Sequence, residues 1–137
     1  MSKHEEHREI NEKYAEIGND IIQNEPLLSD IANSQATIIY LSSNKDKKGK
    51  DKIIHAECEK IQDKHKWAIP ADFTITVYEP NIVGFSEEQL RILLFHELLH
   101  IEIKYNPDGS EVYSVRDHDY ADFKVIIDRY GTDWSKV

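Results

Sequence analysis

The sequence has very little cysteine, little glycine and proline, and no long hydrophobic run. Cys58 is the only cysteine among 137 residues, which excludes an internal disulfide and every zinc site built mainly from thiolates. Five glycines and four prolines are too few for a linker-dominated or low-complexity chain. Any bound metal must therefore be held by histidine and carboxylate side chains, and we expect Cys58 to be a buried small apolar residue.

Positive charge is also scarce. The chain has 17 lysine and arginine residues against 26 aspartate and glutamate residues, which gives a formal net charge of -9 at pH 7. Such a charge repels phosphate backbones unless a local basic surface overrides it, so nucleic acid is not expected as a partner. The one dense basic run, residues 45–52, also contains two aspartates and a glycine, and we interpret it as a solvated turn.

The start of the chain, residues 1–8, is dense in charged residues, and no apolar stretch follows it. It predicts neither a signal peptide nor a membrane-spanning segment, so we expect a frayed terminus and a cytoplasmic protein. A chain of 137 residues is long enough for one hydrophobic core, and residues 1–137 are therefore expected to form a single domain. No feature of the sequence predicts the oligomeric state.

The spacing of apolar residues predicts three helices and three strands. The helices are expected over residues 9–23, 86–104 and 117–130, and the strands over residues 36–41, 52–61 and 72–79. The second strand also fits helical spacing, but we favour a strand that pairs with the first. This order is typical of an α+β fold with a small, mainly antiparallel sheet packed on a central helix, flanked by helices at both ends of the chain.

The helix over residues 86–104 is the most informative element. Ser86, with Gln89 three residues later, forms a capping box, and Glu87 and Glu88 place negative charge at the positive end of the helix dipole. Apolar residues surround the helix beyond this first turn. A helix that is apolar on all sides belongs at the centre of a protein.

This helix carries the sequence His96-Glu97-Leu98-Leu99-His100, which matches the HExxH pattern. Two histidines four residues apart project from one face of a helix, so both can reach one metal ion. Glu97 lies beside the pair and fits a general base that takes a proton from metal-activated water. Ionisable residues in an apolar helix would each cost about 1–3 kcal/mol if they were buried without partners, and metal coordination removes that cost.

A catalytic zinc site usually has three protein ligands, so a further ligand is expected downstream. His118, at the start of the last predicted helix, is the best candidate. A carboxylate from Asp119, Asp122 or Glu111 is the alternative. Asp119 or Asp122 could instead accept a hydrogen bond from a ligating imidazole and so fix its tautomer.

Peptide hydrolysis needs two more features. The oxyanion requires a hydrogen-bond donor, for which the candidates are Tyr105, Tyr113 and Tyr120. The peptide needs a surface on which to lie, and the strand over residues 72–79 could bind it by strand addition because that strand leads into the metal helix. Trp67 and Trp134 are interpreted as packing residues without a chemical role.

The chain resembles the phage-type metallopeptidases, small zincin-like proteins encoded in bacteriophages and prophages. The resemblance spans about residues 38–134 and rests on residues 72–75, Glu88-Gln89, residues 96–100, His118-Asp119, Asp122-Phe123, Tyr130-Gly131 and Trp134. It implies a zincin-like fold, a gene carried by a phage or prophage of a bacterial host, and a peptide or protein substrate. It also implies one zinc ion held by His96, His100 and His118, with Glu97 as the base.

Two other functions compete with a zinc peptidase. Zinc could join two helices of a non-catalytic binding or virion-associated protein, in which Glu97 would have no chemical role. A DNA-associated protease similar to the SprT-like group would share the HExxH helix, but the net charge of -9 counts against it. Replacement of Glu97 by Gln separates the first alternative from the peptidase, because only a catalytic site would lose hydrolysis while it kept zinc.

Overall fold

A computed structural model describes residues 5–50, 52–118 and 122–137, and within them the chain has an α+β fold. The helices are α1 (Glu12–Asn24), α2 (Ser29–Ala32), α3 (Glu87–Leu99) and α4 (Lys124–Tyr130). The strands are β1 (Arg8–Ile10), β2 (Ile38–Ser43), β3 (Lys48–Gly49), β4 (Lys52–Ile53), β5 (Ala56–Lys60), β6 (Phe73–Tyr78), β7 (Ile101–Tyr105) and β8 (Glu111–Val115). None of the helices in the described part of the chain has the length and apolar character needed to span a bilayer.

The main sheet has four strands in the order β1-β2-β6-β5, and it is mixed. Strands β2 and β6 are parallel, whereas β1 pairs with β2 and β5 pairs with β6 in antiparallel fashion. The prediction that residues 52–61 pair with the first strand is therefore wrong, because β6 lies between β5 and β2. All six residues of β6 are buried, which is typical of a strand in a sheet that is covered on both faces.

The hydrophobic core lies between this sheet, α1 and α3. Phe73, Ile75 and Val77 of β6 are inaccessible to solvent and face the helices. In α3, eight of the thirteen residues are buried, on all sides of the helix. The predicted central position of this helix is therefore confirmed.

Helix α1 packs closely on the sheet because it carries Gly18. A Cβ atom added at Gly18 would lie 2.2 Å from the hydroxyl oxygen of Tyr40, a buried residue of β2. Glycine at this position lowers the intrinsic stability of the helix, but it allows the helix and the strand to approach closely. Before α1, Arg8 pairs with Ser43, so β1 forms an edge of the sheet.

Helix α3 begins as predicted and ends earlier. Ser86 Oγ accepts a hydrogen bond from the Gln89 backbone, and Gln89 Oε1 accepts one from the Ser86 backbone, which completes the capping box. The helix ends at Leu99 instead of Lys104. Ile101 and Ile103 have a spacing that fits a strand as well as a helix, and here both are buried on one face of β7.

The early end of α3 is explained by a hairpin that the sequence did not predict. Strands β7 and β8 pair in antiparallel fashion, from Ile101 opposite Val115 to Tyr105 opposite Glu111. The predicted turn signal at residues 106–109 connects them, with Gly109 at a positive φ of 87°. The hairpin ladder gives these residues the backbone hydrogen bonds that a longer helix would have supplied.

The last helix is shorter than predicted. It covers Lys124–Tyr130, and residues 117–118, predicted to be helical, have no regular structure. The predicted Asp119 and Tyr120 lie outside the described residues. The end of the helix is as expected, since Gly131 has a φ of 80° and its N–H donates to the carbonyl of Ile127.

Candidate metal centre

Three histidine side chains meet at the end of α3. His96 and His100 come from the last turn of the helix and its C-cap, and His118 comes from the segment after β8. One nitrogen of each ring belongs to a group whose members all lie within 4.8 Å of one another, an arrangement that could hold a metal ion. The Nε2 atoms of His96 and His118 are 2.8 Å apart.

The hairpin brings His118 to this position. Strand β8 returns towards the end of α3, where the Arg116 backbone N–H donates to the carbonyl of His100 at 2.8 Å. The Arg116 side chain also donates from Nε to the carbonyl of Leu99 at 2.6 Å. These two bonds fix the segment that holds His118 against the C-terminus of α3.

Hydrogen-bond acceptors orient two of the three imidazoles. His96 Nδ1 lies 2.6 Å from Asp122 Oδ1, and His100 Nδ1 lies 2.7 Å from the carbonyl oxygen of Arg116. A carboxylate and a carbonyl can only accept, so Nδ1 of each neutral ring carries the proton and Nε2 carries the lone pair. Both Nε2 atoms are therefore available as metal ligands.

Asp122 is itself held in place by two donors. The indole Nε1 of Trp134 donates to Oδ2 at 2.7 Å, and the Phe123 backbone N–H donates to Oδ1 at 2.7 Å. Burial alone would raise the pKa of Asp122, but the hydrogen bonds from His96 and Trp134 outweigh it, and the pKa lies below its ordinary value. The carboxylate thus stays charged beside His96, and Trp134 has an orienting contact that its sequence context did not reveal.

Phe123 forms an apolar surface next to the histidines. Its ring stands edge-on to all three imidazoles, with centroid distances of 5.4 Å to His96, 5.0 Å to His100 and 5.1 Å to His118. The Phe123 ring also contacts Arg116, whose guanidinium carbon lies 5.8 Å from the ring centroid. The cluster is thereby shielded from water on one side.

The electrostatic environment favours neutral imidazoles. Burial lowers the pKa of His118, and the nearby His96 and His100 lower it further, to about 4. Burial also lowers the pKa of His100. Because metals bind the unprotonated ring, both shifts favour the form that can act as a ligand at neutral pH.

Glu97 lies beside the histidines and is almost completely buried, with 4% of its surface exposed. One carboxylate oxygen is 3.7 Å from His96 Nε2. Burial raises the pKa of Glu97 well above its ordinary value, the negative charges of Glu57 and Asp122 raise it further, and a hydrogen bond from the Cys58 backbone lowers it in part. The buried Glu97 carboxyl therefore binds a proton more strongly than an exposed carboxyl does.

The cluster opens into a cleft of about 330 Å³. Residues 52–56, from β4 to the start of β5, form part of its wall, and Thr132, Trp134 and Ser135 of the C-terminal segment form another part. His96, Glu97 and His118 also line it. His55, which the sequence did not single out, also lines this cleft.

Comparison with known proteins agrees with this geometry. The model of the family described as "Putative phage metallopeptidase" matches residues 6–137. The chain belongs to this family. No curated protein and no solved structure matches the chain.

Membership in the phage metallopeptidase family confirms the resemblance inferred from the motifs. It implies a metal and suggests a peptide or protein substrate. In the described residues, the three histidines that the resemblance named as ligands are the ones brought together. Phe123 and Trp134 were part of the same pattern, although the sequence alone gave no reason for their presence.

The alternative ligands are placed differently. Glu111 lies at the far end of the hairpin, where its carboxylate accepts from the Gln35 backbone at 3.0 Å and from the Tyr113 hydroxyl. Asp122 has the orienting role that the sequence offered as its second possibility. Asp119 lies outside the described residues. The backbone carbonyl of Arg116, which orients His100, has no side-chain signature and could not be found from sequence.

Proposed function

We propose that this protein is a zinc-dependent peptidase in which His96, His100 and His118 hold one zinc ion and Glu97 is the general base. The observation that carries the proposal is the convergence of three imidazole nitrogens beside a buried carboxyl group. Three nitrogen donors suit zinc and leave a coordination position for a reactant, which is typical of catalytic zinc sites. Family membership supports the same function.

The chemistry requires a proton carrier, and Glu97 is placed for it. Zinc at such a site polarises a carbonyl and makes water more acidic. As the water oxygen bonds to the carbonyl carbon, Glu97 takes one proton and the π electrons of the carbonyl move to its oxygen. Glu97 then gives the proton to the amide nitrogen as the C–N bond breaks, so the net reaction adds one water.

The substrate strand predicted from sequence needs correction. Residues 72–79 cannot bind a peptide by strand addition, because β6 has β2 on one side and β5 on the other. The edge strand next to the cleft is β5. The His55 carbonyl and the Ile61 N–H bond to the β6 side, so the alternate residues Ala56, Cys58 and Lys60 direct their backbone groups outward, where the Cys58 N–H donates to Glu97. We place the peptide along this edge, with its scissile bond towards Glu97.

Metal analysis by mass spectrometry on untagged protein tests the site. We expect about one zinc per chain in the wild type and its loss in His96→Ala and His118→Ala. His65→Ala is the matched control, because His65 is an exposed histidine on a 3₁₀ turn away from the cluster. A wild-type protein that takes up no zinc on titration would overturn the proposal.

Hydrolysis of fluorescein-labelled casein tests the activity. The zinc-loaded wild type should cleave it, treatment with a chelator should stop cleavage, and added zinc should restore it. Zinc binding without cleavage would instead favour a non-catalytic protein in which the metal joins α3 to the segment after β8.

A further inference from the structure

A zinc peptidase needs a donor for the oxyanion that forms on the substrate, and the tyrosines suggested by sequence do not supply it. Tyr105 is 53% exposed near the hairpin turn. The Tyr113 hydroxyl donates to Glu111, and its ring packs on Phe73 at a centroid distance of 5.6 Å. Neither residue lines the cleft. Tyr120 lies outside the described residues.

His55 does line the cleft, together with His96 and Glu97. Its backbone carbonyl accepts from the N–H of Tyr78 at 2.9 Å, which anchors it to the end of β6. Its ring packs on Phe85 with a centroid distance of 5.2 Å. Since Phe85 directly precedes Ser86, the N-cap of α3, this contact fixes the position of the imidazole relative to the helix that carries the candidate metal centre.

The His55 ring has unused hydrogen-bonding capacity. Among the described residues, no side chain or backbone group hydrogen-bonds to its ring nitrogens, although the residue is half-buried. Burial, with a further contribution from His96, lowers its pKa. The ring at neutral pH is therefore a neutral imidazole with one N–H donor, on a residue that lines the cleft.

We propose that the His55 imidazole donates a hydrogen bond to the oxyanion formed when water adds to a peptide carbonyl in the cleft. This role rests on the proposed peptidase function. His55 keeps its proton throughout, since the proton of the attacking water passes through Glu97. The donor is useful because its position is set before the substrate binds, so little reorganisation is needed as charge develops on the oxygen.

Lys52, which lies in the same part of the cleft wall, is an alternative donor to the oxyanion. It lines the same cleft and its charge lowers the pKa of His118, so it lies near the cluster. Its side chain is exposed and lies on the two-residue strand β4, with no packing contact comparable to the one between His55 and Phe85. A flexible exposed ammonium loses more conformational freedom on contact with substrate than a packed ring does.

Four variants test the assignment in the zinc-loaded protein. His55→Phe keeps a ring against Phe85 and removes the donor, whereas His55→Gln keeps an N–H. Lys52→Met tests the rival donor, and His65→Phe is the matched control at an exposed histidine. Each is measured for zinc per chain, for kcat and KM on labelled casein, and for affinity towards inorganic phosphate, a tetrahedral anion, by calorimetry.

We expect all four variants to keep about one zinc per chain. In His55→Phe, kcat should fall about 10²- to 10³-fold with little change in KM, because the lost bond forms only in the transition state. Phosphate affinity should fall about tenfold or more. His55→Gln should recover part of both losses, and Lys52→Met and His65→Phe should stay within about threefold of wild type.

Several outcomes would overturn the role of His55. A His55→Phe variant within about threefold of wild type in kcat and phosphate affinity would do so, as would a larger loss in Lys52→Met. Equal losses in His55→Phe and His55→Gln with unchanged phosphate affinity would make His55 a structural wall residue. If the wild type binds zinc and does not cleave casein, the peptidase proposal fails, and the role of His55 in peptide hydrolysis fails with it. A wild type without zinc overturns both proposals.

Discussion

Polar side chains are buried on both faces of the main sheet, and the two groups differ in how their hydrogen-bonding capacity is used. On the face away from α3, the Tyr78 hydroxyl donates to Glu57 at 2.6 Å, and Lys47 bonds to the same carboxylate. Arg8 donates to Thr76 at 3.2 Å and lies 6.0 Å from the Tyr78 ring. This back network is closed, because its acids meet cations and hydroxyl donors.

The histidine cluster on the other side of the sheet is open. His96 and His118 present Nε2 atoms to each other at 2.8 Å, and the tautomer of His96 makes its Nε2 an acceptor. Glu97 beside them has a raised pKa, whereas Glu57 in the back network has a lowered one, since Lys47 and Tyr78 offset its burial. A closed network stabilises the fold, whereas the open histidine cluster could hold a metal ion.

The largest expected effect is at Glu97. Glu97→Gln should lower kcat on labelled casein about 10²- to 10⁴-fold, because the amide cannot accept the proton. Zinc content by mass spectrometry should stay the same. The matched control is Glu59→Gln, an exposed carboxyl on the same face of the molecule as the back network. Equal activity in Glu97→Gln and wild type would refute the role of base.

The next effect concerns the support of the metal ligand. Asp122→Ala removes the acceptor for His96 Nδ1, so zinc affinity should fall about 10- to 100-fold in a chelator competition assay. Asp128→Ala serves as the control, because Asp128 is an exposed residue of α4 that pairs with Lys124. Trp134→Phe should have a smaller effect in the same direction, since the carboxylate would remain.

A substitution in the back network should lower the stability of the fold and leave zinc binding unchanged. Tyr78→Phe removes a buried hydroxyl that donates to a charged carboxylate, and the free energy of unfolding in urea should fall by about 1.5–3 kcal/mol. Zinc per chain should be unchanged. A loss of zinc in this variant would show that the two faces of the sheet are coupled and would break the comparison.

The two groups should also lose their stabilising contributions in different pH ranges. In the metal-free protein, the pKa of His118 is about 4 against an ordinary value of 6.5, so the unfolded chain binds more protons between these values. The contribution of neutral His118 to the free energy of unfolding is fully present above about pH 6.5, and it is lost as the pH decreases towards 4. Glu57, whose pKa is lowered from 4.5, loses its contribution only below that value.

Urea unfolding between pH 7 and pH 4 measures this slope. His118→Gln should flatten the curve between about pH 6.5 and pH 4, because it removes the group that titrates there. The decline below about pH 4.5 should persist in that variant. An unchanged slope in His118→Gln would mean that another group, such as His100, dominates this pH range.

The sequence predicted elements whose signals are local. The capping box of Ser86 and Gln89, the helix end at Gly131 and the turn at residues 106–109 were all found where the pattern placed them. The boundary of α3 was wrong because Ile101 and Ile103 fit two periodicities. Where a sequence fits both periodicities, pairing with a distant segment determines the structure. Here residues 101–105 form a strand because β8 pairs with them.

The sequence by itself determined which residue types were available: one cysteine, an HExxH helix and a histidine downstream, which left histidine as the natural metal ligand. The tertiary structure decided how these groups are oriented. The Arg116 carbonyl, the Trp134 indole and the His55 ring act through contacts between residues far apart in the chain, or through backbone atoms common to all residues. Such contacts depend on packing and register, and no local spacing rule encodes them.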